Sequence, residues 1–117
     1  MSVDKYLNKV YCPQNYNCAH LVCEVWKDET GIDISHALQG FLGGRKARRV
    51  VLADLRIFKR LKAPLSPCLV QFQSHRDAPH VGIYLRGRVL HITKSGVRFE
   101  ILETVSIGFK KVGFFAC

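Results

Sequence analysis

His80-Val81-Gly82-Ile83-Tyr84-Leu85-Arg86-Gly87-Arg88-Val89-Leu90-His91-Ile92-Thr93 is two short apolar runs joined at a glycine. Residues 79–85 and 88–93 are rich in β-branched and aromatic side chains, and Gly87 supplies a turn, so the segment predicts a β-hairpin. Each arm carries a histidine at its apolar heart or edge, where packing offers an imidazole nothing. In a hairpin, residues 80 and 91 share a face when the loop is even in length. A two-residue loop at Gly87-Arg88, or a four-residue loop from Tyr84 to Gly87, meets that condition. A three-residue loop without a bulge does not. Either histidine alone reads as a satisfied core residue; two on one face read as a site.

Working outward, residues 68–72, 97–102 and 110–116 read as further strands, with Ser95-Gly96 as a second hairpin turn. Upstream the texture is helical. Asn17 is a good N-cap for a helix over 18–29, with Leu21, Val22, Val25 and Trp26 on its inner stripe and Gly31 at its end. Short helices are expected over 2–9 and 34–42. A longer amphipathic one is expected over 45–61, with Val51, Leu55, Phe58 and Leu61 inward, before Pro64 and Pro67 end it. Helices first and then an antiparallel meander is an α+β order, and 117 residues suit one domain.

The chain is 48% hydrophobic and 23% charged, which supports a core and excludes a disordered polymer. Nothing approaches the ~20 apolar residues of a membrane span. The first residues lack the apolar stretch of a classical signal peptide, so delivery outside the cytosol would need another route. The net charge of +9 favours polyanionic partners. The basic run at 45–49, with Arg56, Lys59, Arg60 and Lys62, has few interleaved aromatics and no known binding motif. It reads as a solvated or docking face rather than a nucleic-acid interface. Five cysteines without paired spacing do not make a disulfide framework. Cys12, Cys18, His20 and Cys23 lack the CxxC pair of a zinc knuckle, so neither metal nor cofactor is expected.

Cys18 is placed differently from the other thiols. It opens a helix, where free N–H groups and the helix dipole favour a thiolate. A thiol at a helix start with two imidazoles on neighbouring strands is the layout of a papain-like cysteine hydrolase. In that reading Cys18 is the nucleophile, His80 the general base and then acid, and His91 orients His80 through the other ring nitrogen. The Cys18 backbone N–H is one oxyanion donor. A tyrosine hydroxyl is the second, with Tyr11 ahead of Tyr6. His20 could line the cleft; His36 and His75 carry weaker arguments.

These segments resemble the NlpC-type family of papain-like cell-wall peptidases, from about Tyr11 to Leu102. The family's aromatic-Asp-Cys-Ser-Gly-Leu-Val segment is matched by Tyr16-Asn17-Cys18-Ala19-His20-Leu21-Val22. Its His-Val-Gly-Ile-Tyr-Leu strand stands almost verbatim at His80–Leu85, and its orienting residue corresponds to Leu90-His91. Asn17 replaces the usual Asp, Ala19-His20 replaces Ser-Gly, and Pro67-Cys68 replaces Gly-Asp before Leu-Val. The resemblance implies a peptidoglycan stem-peptide substrate, often cut between D-glutamate and diaminopimelate. Small members without a signal peptide resemble hydrolase modules of phage tail tips, which implies other tail proteins as partners and the virion as the carrier. A non-catalytic tail subunit with the same fold is the alternative, and a transferase or deamidase would use the same acyl-enzyme chemistry.

Overall fold

The hairpin forms as a two-residue turn, but at Arg86-Gly87 rather than at either expected position. In the computed structural model, which describes residues 3–38, 58–74 and 79–116, both turn residues have positive φ, 49° and 88°. That is the pattern whose twist matches antiparallel strands. It pairs Leu85 with Arg88, Tyr84 with Val89 and Ile83 with Leu90, so His80 and His91 fall on one face two positions apart.

Around this hairpin lies a six-stranded sheet in which every pairing is antiparallel. Its strands are β1 (Lys59–Leu61), β2 (Cys68–Gln73), β3 (His80–Leu85), β4 (Arg88–Thr93), β5 (Gly96–Glu100) and β6 (Lys111–Ala116), in spatial order β1-β6-β2-β3-β4-β5. Strands β2 to β5 are a meander. β6 then returns to lie beside β2. Among the described residues the α-helices are α1 (Cys18–Thr30), which packs across β3 and β4, and the short α2 (Leu102–Ser106). The class is α+β.

Side-chain alternation builds two apolar layers. Leu69, Val81, Ile83, Leu85, Leu90 and Ile92 face α1, where Leu21, Val22, Val25 and Trp26 meet them. Val70, Phe72 and Val89 face the other way and are covered by Val105 of α2 together with Phe109. β2 is buried on both faces from Cys68 to Phe72, and its one polar residue in that stretch, Gln71, is buried with the rest.

Several expectations need correction. Where the expected 45–61 helix should end, Lys59–Leu61 is instead an edge strand paired with Phe114, Phe115 and Ala116. There β6 offers a ladder of backbone partners, and Arg60 lies over the Phe115 ring at 5.7 Å. Residues 45–57, with Val51 and Leu55, lie outside the described residues. Of the expected 34–42 helix the described part, Ser35–Leu38, is a turn held by Asp33 on the Ser35 N–H and hydroxyl. The N-terminal helix shrinks to a 3-10 turn, Asp4–Tyr6. The strand expected over 97–102 is β5, which stops at Glu100 because α2 begins two residues later, and sequence reasoning missed that helix.

Gly82 permits the hairpin's close approach to itself. A Cβ built there would lie 3.0 Å from the Leu90 carbonyl oxygen, 3.0 Å from Val89 Cγ1 and 3.1 Å from His91 Cβ. Gly82→Ala is therefore expected to cost about 1–3 kcal/mol through crowding. Gly87→Ala meets no atom within 4 Å and should cost about 1–2 kcal/mol, through its positive φ alone. Urea unfolding of both variants checks this, and only Gly82→Ala should also disturb the His91 ring signals.

Candidate active site

Asn17 fixes where α1 begins, and with it the position of Cys18. Its side-chain oxygen accepts from the backbone N–H of Ala19 at 2.9 Å and of His20 at 3.4 Å. His20 Nδ1 accepts the Asn17 backbone N–H in return, at 2.9 Å, which completes a capping box. An imidazole thus does the work usually done by Glu or Gln. Burial lowers the His20 pKa, which suits an acceptor nitrogen. His20 is committed to the helix start and stacks beside Tyr16, and it is not a wall of the cleft.

The first turn of α1 brings half-buried Cys18 to the start of β3. Burial pushes its thiol above the ordinary value, against the pull of the N–H groups of Val81, Ala19 and Cys18 itself. The Val81 amide belongs to the residue after His80, so the sulfur sits against the backbone at the start of β3. Alternation sends the His80 ring to the face of Phe72, away from α1, and Cys18 is not among the residues that line the cleft onto which that ring opens. No hydrogen bond joins Cys18 to the His80 ring among the described residues.

The two histidines do meet. His80 Nε2 lies 2.9 Å from His91 Nδ1, and His91 Nε2 lies 3.1 Å from Glu100 Oε2. The protons in this chain can be assigned from chemistry. A carboxylate only accepts, so His91 carries its proton on Nε2. A neutral His91 then offers a bare Nδ1, so His80 must donate from Nε2. That leaves His80 Nδ1 as a lone pair, free of hydrogen bonds among the described residues. This is the tautomer a base needs.

Both rings are held neutral. Burial, and secondarily the neighbouring His91, lowers the His80 pKa to about 3. Burial also lowers that of His91, against the opposing pull of Glu100. Phe109 lies parallel to the His80 ring within 4°, centroids 5.8 Å apart, and Phe72 lies 5.8 Å away at a tilt.

A cleft of about 480 Å³ opens onto these groups, lined by Tyr11, His80, His91, Arg98, Glu100 and Phe109 among others. Tyr11 thus reaches the site. Burial, and then the nearby Cys18 and Cys12, raise its pKa, so it keeps its hydroxyl proton. Tyr6 does not reach it. It is fully buried in the core, and its hydroxyl donates to Asp28 of α1, itself paired with Lys5 at 2.9 Å. His36 is exposed in a turn, and His75 lies outside the described residues. Among the described residues no three His, Cys, Asp or Glu side chains group as metal ligands, and no helix is long and apolar enough to cross a membrane.

Sequence reasoning missed Glu100 and Phe109. Glu100 had a signal: with the β4–β5 turn at Lys94-Ser95, Arg98 falls opposite His91, and Glu100 shares that face. Phe109 had none, since it lies outside any strand and its position depends on α2. Among proteins of known family, curated function or solved structure, none matches this chain.

Acid should act on the histidine pair before it acts on the carboxylates. Between pH 6.5 and about 3 the unfolded chain binds a proton that folded His80 refuses, so stability present above pH 6.5 is lost as pH falls through that window. The expected slope is on the order of 1 kcal/mol per pH unit. Urea unfolding at pH 7, 6, 5 and 4.5 measures it, and His80→Gln should flatten the curve.

Proposed function

We propose that this chain is a cysteine peptidase or amidase directed at peptidoglycan stem peptides, with Cys18 as nucleophile, His80 as base and His91 as orienting residue. The papain-like arrangement belongs to the same proposal. The observation that carries it is the His80–His91–Glu100 chain, which leaves His80 Nδ1 bare at the start of the strand whose Val81 amide holds the Cys18 sulfur. A buried histidine pair kept only for packing would not require a carboxylate behind it.

In the proposed reaction the Cys18 proton passes to His80 Nδ1 as the sulfur attacks the amide carbon. The imidazolium is stabilised through Nε2–H to His91, whose own Nε2–H is held by Glu100. The Cys18 N–H and the Tyr11 hydroxyl are the oxyanion donors. His80 returns its proton to the departing amine, and water then releases the acyl group. The peptidoglycan target rests on the resemblance of the cysteine and histidine segments, and a net charge of +9 suits an anionic wall. Carriage in a phage tail, with other tail proteins as partners, follows from the same resemblance.

One observation favours a second reading, a catalytically silent tail subunit of the same fold. The thiol is pushed up and the imidazole down, so the resting pair is neutral rather than an ion pair. Incubation with purified sacculi separates the two readings. Wild-type protein should release muropeptides of defined mass, and Cys18→Ala should reduce release at least about a thousandfold. Equal release by both proteins, or none by either, sinks the hydrolase.

A further inference from the structure

We infer that Phe109 is a positioning residue for His80: its ring, parallel to the imidazole within 4° at 5.8 Å, holds the histidine in the plane that aims Nε2 at His91. The inference rests on His80 being the base of the proposed reaction. One hydrogen bond at Nε2 does not fix a ring, because the imidazole can still swing about that bond. Its flank needs a wall. Phe109 and Phe72 provide one together, their centroids 5.1 Å apart and each 5.8 Å from His80, so the three rings form a nearly equilateral triangle. Offset-parallel rings at this separation attract beyond simple burial.

The backbone around Phe109 is tied down on both sides. The Phe109 N–H donates to the Ser106 carbonyl at 3.0 Å, and the Lys110 N–H donates to the Gln73 carbonyl at 2.8 Å. The second bond fastens the segment to β2, one residue from Phe72. Phe109 is half-buried, stacks on the histidine and also lines the cleft. A purely structural phenylalanine would be expected deeper in the layer with Val70 and Val89, which are fully buried.

The test compares Phe109→Leu, which keeps apolar bulk but loses the plane, with Phe109→Tyr, which keeps the ring. Ring-nitrogen NMR of His80 and the pH profile of Cys18 alkylation are recorded for each, alongside thermal stability. Wild type and Phe109→Tyr should show one tautomer, with the proton on Nε2. Phe109→Leu should show averaged nitrogen shifts, an alkylation profile displaced along the pH axis and, if the hydrolase reading holds, turnover about ten- to a hundredfold lower. Unchanged shifts and profile in Phe109→Leu, whatever its stability, overturn the inference; should that variant not fold, Phe109→Met replaces it under the same criterion. The NMR readout does not depend on turnover, so an inactive protein with the expected tautomer shift rejects the hydrolase and keeps the positioning role.

Discussion

The hydrogen bond between His80 Nε2 and His91 Nδ1 is the constraint on which the site depends. It forms only if both side chains leave one face of the hairpin, and the even, two-residue turn at Arg86-Gly87 brings that about with the two residues two positions apart. It also requires the absence of a Cβ at Gly82, where the strands crowd together. A buried imidazole pair with no fixed proton order would be a liability, since either ring could donate or neither could. Glu100 removes that ambiguity by accepting from the far end. The backbone of three consecutive strands therefore decides which nitrogen of His80 is bare.

Burial works both for and against the proposed chemistry. It keeps His80 unprotonated, which a base must be before it acts. The same burial raises the Cys18 thiol, so the sulfur begins as a neutral group. The backbone amides around the sulfur offset part of this effect, as expected at the start of a helix. Proton transfer then needs the substrate's carbonyl to take up the developing charge. The Tyr11 hydroxyl, kept protonated beside the thiols, belongs to a residue that lines the same cleft as His80 and His91.

Much of this was legible from residue order. The hairpin, the capped helix and the thiol at its first position follow from local patterns of period two and 3.6. Asn17 declared its role through its type, and His80 and His91 through their apolar surroundings. What could not be read depends on partners distant in the chain. Lys59–Leu61 had a helical pattern with an apolar stripe, yet β6 claims it as a strand. Tyr11 stood ahead of Tyr6 as a hydroxyl donor, but nothing local showed that Asp28 of α1 takes the Tyr6 hydroxyl. His20 read as a cleft residue because it lies one turn into the helix beside Cys18, whereas its ring closes the capping box with Asn17. Phe109 has no local signature, because its meaning lies in a ring twenty-nine residues earlier.

The return of β6 to the flank of β2 has a mechanical consequence. Phe72 sits on β2, His80 on the adjoining β3, and the Phe109 segment is laced to the end of β2. The aromatic wall and the base therefore share one short load path through the middle of the sheet, where distortion at the margins is damped. Glu100 belongs to β5, at the opposite margin from β1 and bonded to β4 alone in the ladder. The imidazole thus rests on a strand laddered on both sides, whereas the carboxylate that orders its protons hangs from an edge strand, so local opening of β5 would undo the proton order before it disturbed the aromatic wall.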